Sequence, residues 1–169
     1  MALRDKFYPW ANSLPRRPAV ALATLFGLGK LAAPGTWGSA AGILLYPFLF
    51  KDLPAGVYLI TAVVLAYVAV GVCDSAERHL NMKDPRMINL DEFVAMPFCF
   101  FTTLGVYNLW GLMLGFALFR LFDISKPLFV NRLQSLEGGL GCVADDIAAG
   151  ILSAACLNAI AWCVPNILM

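Results

Sequence analysis

Two pairs of adjacent carboxylates stand out in a chain of 169 residues that has only eleven Asp and Glu in all. Asp91-Glu92 and Asp145-Asp146 each come directly before a long apolar run. Either pair alone is typical of a helix start, where carboxylates satisfy free backbone N–H groups and suit the positive end of the helix dipole. If the two pairs lie on the same side of a small helical bundle, their four carboxylates repel one another unless a cation lies between them. Because hard oxygen ligands suit Mg²⁺, the pattern favours a magnesium site.

A third charged element follows the second carboxylate of the first pair by about thirty residues. Arg120 and Asp123 are three apart and so share one face of a helix, and Lys126 follows just before a proline. A surface ion pair at a helix end is one interpretation. The functional interpretation assigns Asp123 to the metal and the two cations to an anionic substrate, because arginine forks around phosphate oxygens and lysine supplies a point charge.

Other phosphate chemistries lack their residues. A P-loop needs Ser or Thr after Gly29-Lys30, where the chain has Leu31, and a phosphohistidine enzyme needs more than the single His79. A mechanism based on carboxylates, metal and water remains.

The elements that position these residues belong to a membrane protein. The chain is 60% apolar and 14% charged, and four stretches contain no charged residue or histidine: 31–50, 53–73, 93–119 and 147–169. About 20 apolar residues cross a bilayer core as a helix. We therefore expect an all-α, polytopic integral membrane bundle, with residues 1–169 forming a single domain. The net charge of +1, without a basic block, argues against nucleic acid as a partner.

Basic residues indicate the orientation of this bundle. They collect before the first apolar stretch and in segments 74–92 and 120–146, while Lys51 lies alone between two stretches. The positive-inside rule places the three basic segments in the cytoplasm. Both flanks of 93–119 then lie on one side, which favours a re-entrant hairpin that turns within 102–108, although a single tilted span stays open.

The first apolar region is predicted to be a broken helix. Helical composition covers 18–29 and 38–50, and Pro34-Gly35 between them interrupt a helix. Irregular backbone at membrane depth needs a protein or polar environment. Thr36, Ser39 and free N–H groups at the start of the following helix are therefore expected to face a phosphate.

Four motifs in order resemble the phosphatidylglycerophosphatase A family of bacterial membrane enzymes. They span about residues 27–150 and include these sequences: Ala33-Pro34-Gly35-Thr36-Trp37-Gly38-Ser39, Asp91-Glu92-Phe93, Phe119-Arg120-Leu121-Phe122-Asp123-Ile124-Ser125-Lys126-Pro127, and Gly138-Gly139-Leu140-Gly141-Cys142-Val143-Ala144-Asp145-Asp146. The chain departs from the family pattern at Ala95, Phe129 and Cys142-Val143, beside the polar residues.

The resemblance implies Mg²⁺-dependent removal of the terminal phosphate of phosphatidylglycerophosphate, giving phosphatidylglycerol, at the cytoplasmic leaflet of the bacterial inner membrane. The family's acidic residues would fall on Asp91, Glu92, Asp123, Asp145 and Asp146 as the catalytic set. Within that set the expected metal ligands are Asp91, Glu92, Asp123 and Asp146, with Glu92 or Asp145 as the base. The expected substrate-binding residues are Lys30, Thr36, Ser39, Arg120 and Lys126.

A small membrane carrier or channel for an ion or anionic solute is the alternative, because broken helices and carboxylates at the membrane rim also serve transport. It is disfavoured because the polar residues gather at one side, with few inside the spans. The partners expected are the membrane and an anionic phospholipid substrate. A homo-oligomer is an open expectation, since small membrane bundles often pair.

Overall fold

The computed structural model describes residues 3–101 and 108–164, and within them every regular element is helical. The prediction of an all-α fold is confirmed for this part of the chain. Short 3-10 turns cover Pro9–Ser13 and Leu25–Lys30. The α-helices are α1 Leu3–Phe7, α2 Arg16–Ala23, α3 Pro34–Leu49, α4 Ala55–Leu80, α5 Leu90–Cys99, α6 Leu109–Ser125, α7 Leu128–Gln134 and α8 Gly139–Cys163.

The short helix α5 lies at the centre of the bundle, between α3, α4 and α8. Its Ala95, Met96 and Cys99 are fully buried in the main apolar core. The buried Tyr58 hydroxyl of α4 donates a hydrogen bond to the Pro97 carbonyl oxygen at 2.5 Å. Since the first turn of α5 contains Asp91 and Glu92, this packing fixes the first carboxylate pair against its neighbours.

In the described part of the chain, two helices have the length and apolar composition to cross a membrane, α4 with 26 residues and α8 with 25. Large apolar side chains point outward along α4, where Ile60 is 66% exposed and Val64 is 53% exposed. On α3, Phe48 is 85% exposed. Exposed apolar side chains of this size suit hydrocarbon better than water. The architecture is therefore consistent with the expected membrane protein.

The apolar run 93–119 is divided between two helices. α5 ends at Cys99 and α6 begins at Leu109, so one continuous helix over this run is ruled out. The turn expected within 102–108 falls almost entirely on residues 102–107, which lie outside the described residues. At the other end of the run, Glu92 Oε1 lies 4.0 Å from Arg120 Nη1. Both flanks thus meet as a hairpin requires, while its depth in the membrane stays a prediction.

The first apolar region is broken between α2 and α3, as predicted, but the break begins earlier in the chain than the sequence predicts. α2 ends at Ala23, and Leu25 and Phe26 in the following 3-10 turn have left-handed φ values of 44° and 56°. Pro34 and Gly35 begin α3 instead of interrupting a helix. The physical reason is that proline fits the first turn of a helix, where its missing N–H would have no partner in any case.

The prediction that Asp145-Asp146 starts the last helix is wrong, because α8 begins at Gly139. The glycines before the pair suggest a loop, yet here they serve close packing. A Cβ on Gly139 would lie 2.2 Å from the Val70 carbonyl oxygen of α4. The carboxylate pair consequently lies in the second turn of α8, facing α5 rather than capping a helix.

Candidate active site

A cavity of about 270 Å³ opens where the first turns of α3 and α5 and the first two turns of α8 meet the end of α6. We call it the charged cavity, because charged side chains from four segments of the chain line it. They are Asp84, Arg86, Asp91, Glu92, Arg120, Asp123, Lys126, Asp145 and Asp146. The predicted convergence of the two carboxylate pairs with the Arg120 segment is therefore seen in the fold.

Three carboxylates of this cavity form a tight cluster. Oxygens of Asp91, Glu92 and Asp146 lie within 4.8 Å of one another. Asp91 and Asp146 are each only 5% exposed. Burial raises the pKa of the Asp91 carboxyl, and burial together with the charge of Asp91 raises the pKa of the Glu92 carboxyl. The pKa of each group is raised chiefly because burial removes water from the carboxylate, and in Glu92 the negative charge of Asp91 adds to the shift.

The cluster offers oxygen ligands that suit a divalent cation, and one of these oxygens lacks a hydrogen-bond partner in the described part of the chain. Glu92 Oε2 is buried and has no hydrogen-bond partner among the described residues. Carboxylate oxygens are the ligands that Mg²⁺ prefers, and a cation among them would offset their repulsion. Asp91, Glu92 and Asp146 are therefore the residues that fit a metal ion.

Two cations flank the cluster, each paired with a carboxylate. Arg120 Nη1 lies 2.7 Å from an Asp123 oxygen, one turn along α6. Lys126 Nζ lies 2.5 Å from an oxygen of Asp145, which is only 2% exposed. Burial lowers the pKa of Lys126, but the hydrogen bond and charge of Asp145 raise it by more, so the net shift is upward. Lys126 thus remains charged beside the cavity at neutral pH.

The start of α3 forms one wall of the charged cavity through Ala33, Pro34 and Gly35. Ala33 is the N-cap and offers no side chain to the N–H groups of the first turn. A helix start of this kind favours negative charge. Gly35 permits the close approach, because a Cβ there would lie 2.2 Å from Glu92 Oε1 and 2.9 Å from Arg120 Nη1.

Seven of the ten predicted site residues line the charged cavity, and three do not. Ser39 is fully buried, and its hydroxyl donates a hydrogen bond to the Gly35 carbonyl oxygen of its own helix at 2.8 Å. Thr36 lies in the first turn of α3, and its backbone N–H bonds to the Ala33 carbonyl oxygen. Lys30 lines a second cavity with Arg16 and Arg17.

Sequence reasoning missed Asp84, Arg86 and Cys142, all of which line the charged cavity. Ligand atoms of Asp84, Asp91 and Cys142 lie within 4.8 Å of one another, beside the first cluster. The Asp84 backbone N–H donates to Glu77 Oε1 at 2.7 Å, which ties this loop to α4. The available signal was the group of charged residues at 83–86, only a few positions before Asp91.

Together these features define a class: a helical protein with long apolar helices and one cavity that joins clustered carboxylates to cations at the end of the bundle. Comparison with known proteins identifies the family within that class. The model of the phosphatidylglycerophosphatase A family matches residues 21–161. The chain therefore belongs to the phosphatidylglycerophosphatase A family, whose members are phosphomonoester hydrolases, and the resemblance of its four motifs is confirmed.

Individual relatives agree with this assignment. A phosphatidylglycerophosphatase A of Haemophilus influenzae is 33% identical over 86% of this chain and 90% of its own. That of Escherichia coli is 32% identical over 80% of this chain and 79% of its own. A protein of Bacteroides thetaiotaomicron described as a candidate phosphatidylinositol-3-phosphatase is 31% identical over 88% of this chain and 99% of its own. No solved structure matches the chain.

Proposed function

We propose that this protein hydrolyses the terminal phosphomonoester of phosphatidylglycerophosphate, releasing phosphate and phosphatidylglycerol, with Mg²⁺ as cofactor. Family membership supports the reaction class and the lipid substrate. The single observation that carries the cofactor and the site is the cluster of Asp91, Glu92 and Asp146 oxygens within 4.8 Å, beside Arg120 in one cavity.

Asp91, Glu92 and Asp146 are proposed to hold the metal, with Asp123 as a further ligand from α6. When bound, Mg²⁺ supplies Lewis-acid polarisation of the phosphoryl group. Asp123 Oδ2 lies 2.7 Å from Arg120 Nη1, so Asp123 would bind the metal while it also pairs with Arg120. The buried Glu92 Oε2, which has no hydrogen-bond partner in the described part of the chain, supports a cation in this cluster.

The cations and the start of α3 are proposed to hold the phosphate. Arg120 Nη1 lies 4.0 Å from Glu92 Oε1 of the carboxylate cluster and close to Gly35 of α3, where its guanidinium can bind two phosphate oxygens. The first turn of α3 lines the same cavity through Pro34 and Gly35, and the start of a helix favours an anion. Thr36, Ser39 and Lys30 do not line the charged cavity. A direct contact with the phosphate is therefore proposed for Arg120 and Lys126 rather than for these three residues.

Proton transfer is proposed for a carboxylate of the same cavity. Glu92 and Asp145 are the candidates for the base that takes the proton of the attacking water. Asp145 Oδ2 is hydrogen-bonded to Lys126 Nζ, whereas Glu92 belongs to the carboxylate cluster that is proposed to hold the metal. The two candidates therefore differ in the cation that each faces, which is Lys126 for Asp145 and the proposed metal for Glu92.

The proposed location is the bacterial inner membrane, with the charged cavity at the cytoplasmic leaflet. The apolar outer faces of α3 and α4 support residence in a bilayer. The basic loops that flank the charged cavity support the cytoplasmic side by the positive-inside rule. Lys51 lies just beyond the end of α3 opposite Gly35, as expected for the other side.

A substrate panel tests the proposal. Purified protein in detergent is given phosphatidylglycerophosphate, phosphatidic acid or phosphatidylinositol 3-phosphate, each with and without Mg²⁺, and phosphate release is measured. We expect release from phosphatidylglycerophosphate with Mg²⁺ and at most a few per cent of that rate from the other two. A higher rate with phosphatidylinositol 3-phosphate would instead indicate that this protein has the activity described for the Bacteroides relative. No release from any lipid would favour the carrier alternative.

A further inference from the structure

A second cavity, of about 590 Å³, lies beside α2 and the 3-10 turn that follows it. Arg16, Arg17 and Lys30 line it, and we call it the basic cavity. None of these three side chains makes an ion pair with a carboxylate within residues 3–101 and 108–164. Three unpaired cations around one cavity repel each other, and an anion placed between them would offset that repulsion.

The helix start adds to the positive charge of this place. Arg16 and Arg17 occupy the first turn of α2, and that turn contains no acidic residue. Cations at a helix N-terminus are unfavourable, because the free N–H groups there already carry partial positive charge. Arg16 and Arg17 therefore destabilise the start of α2, which favours a role in ligand binding over a role in the stability of this helix.

The rim of the basic cavity is apolar and exposed. Phe26 is 82% exposed, and the nearby Leu22 is 39% exposed. Val20, Ala21 and Leu80 complete the apolar part of the wall. A site for free phosphate has no need of such a rim, whereas a phospholipid presents an anionic headgroup directly above hydrocarbon.

The basic cavity lies at the same end of the bundle as the charged cavity. Gly29, one residue before Lys30, packs so closely on the Met87 backbone that a Cβ there would lie 1.8 Å from the Met87 carbonyl oxygen. Met87 stands between Arg86 and Ile88, which both line the charged cavity. A lipid in the basic cavity and a substrate in the charged cavity would therefore come from one leaflet.

We propose that the basic cavity is a second lipid site, which binds the phosphate group of an anionic phospholipid through Arg16, Arg17 and Lys30 without turning it over. No carboxylate lines this cavity among the described residues, so it has no group to hold a metal or take a proton. The proposal reassigns Lys30 from substrate contact to this separate site. It does not depend on the reaction proposed for the charged cavity.

Lipid binding to the full chain tests the proposal. The protein is held in neutral detergent without Mg²⁺, phosphatidylglycerol is titrated, and bound lipid is counted by native mass spectrometry, with phosphatidylcholine as the lipid of no net charge. We expect R16Q/R17Q/K30Q to bind phosphatidylglycerol about 100-fold more weakly than the wild type, and K30Q alone about fivefold more weakly. The matched charge control, K6Q/K83Q/R132Q, is expected to bind as the wild type does.

The outcomes separate the candidate ligands and the two sites. Wild-type affinity in K30Q and in the triple variant would overturn the proposal. Complete displacement of the lipid by inorganic phosphate at equal concentration would show a free-phosphate site instead. Asp146→Asn is expected to keep this binding whatever its effect on phosphate release, so failure of the proposed reaction would leave the result for the basic cavity unchanged.

Discussion

Replacing Gly35 by alanine tests whether the start of α3 positions the charged side chains of the cavity. The new Cβ would lie 2.2 Å from Glu92 Oε1 and 2.9 Å from Arg120 Nη1. Ordinary van der Waals contact begins near 3.4 Å, so the Glu92 oxygen has to move by roughly 1.2 Å. Because both atoms are the ends of flexible side chains, the side chains give way and the helices stay in place.

A displacement of about 1 Å in a catalytic arrangement costs on the order of 100-fold in rate. We therefore expect Gly35→Ala to lower kcat for phosphate release from phosphatidylglycerophosphate about 100-fold. Stability should change little, because alanine favours a helix over glycine by about 1 kcal/mol and offsets the local crowding. The variant is thus expected to unfold at nearly the wild-type temperature while it loses turnover.

The assay measures phosphate release in detergent with saturating Mg²⁺, and thermal unfolding in the same buffer. Gly56→Ala is the matched control, because a Cβ at Gly56 in α4 meets no heavy atom within 4 Å. It should keep wild-type turnover. If Gly35→Ala turns over within about threefold of the wild type, Glu92 and Arg120 do not need their observed positions, and the active-site assignment is refuted.

Two further predictions concern stability. Mg²⁺ at about 100 times its dissociation constant should add about 2.7 kcal/mol to the free energy of unfolding and raise Tm, because it binds the Asp91, Glu92 and Asp146 cluster; a Tm that ignores Mg²⁺ would contradict a metal site there. Lys126→Met should lower the free energy of unfolding by roughly 3 kcal/mol, because it leaves the buried Asp145 unpaired. Adding Asp145→Asn should restore most of that loss, and equal stability of the single and double variants in equilibrium unfolding would argue against the pair.

The convergence of the acidic residues was predictable because charge is scarce in this chain and its placement is therefore informative. Carboxylate pairs that precede apolar runs must lie near the membrane surface, and the positive-inside rule puts both on one side. The i, i+3 spacing of Arg120 and Asp123 likewise predicted their contact, which the structure shows at 2.7 Å. These inferences need only composition and helical geometry.

The local backbone was less predictable, because glycine and proline have more than one use. Gly139 indicates a loop by propensity, yet it permits α8 to approach the α4 backbone and so lies inside a helix. Pro34 indicates a break, yet it begins α3. Only the packing partner distinguishes the two uses in each case, and the partner is distant in sequence.

Asp84 was missed for a related reason. It lies in a loop with a left-handed φ of 47°, and its position depends on hydrogen bonds from its backbone to Glu77 and from Gln134 to its carboxylate. Gln134 is fifty positions away and belongs to α7. Contacts between residues so far apart leave no pattern in the local sequence. The sequence therefore shows that Asp84 is near Asp91 along the chain, but not that both residues line the same cavity.

The most direct test of the central claim measures phosphate release from phosphatidylglycerophosphate as a function of Mg²⁺ concentration, in the wild type, Asp146→Asn and Asp52→Asn. Asp52 is exposed in the loop after α3, away from the charged cavity, and matches the chemical change. We expect the wild type and Asp52→Asn to require Mg²⁺ and to reach the same rate, and Asp146→Asn to release no phosphate at any Mg²⁺ concentration although it folds. Wild-type turnover by Asp146→Asn, or turnover by the wild type after complete removal of divalent cations, would contradict the claim.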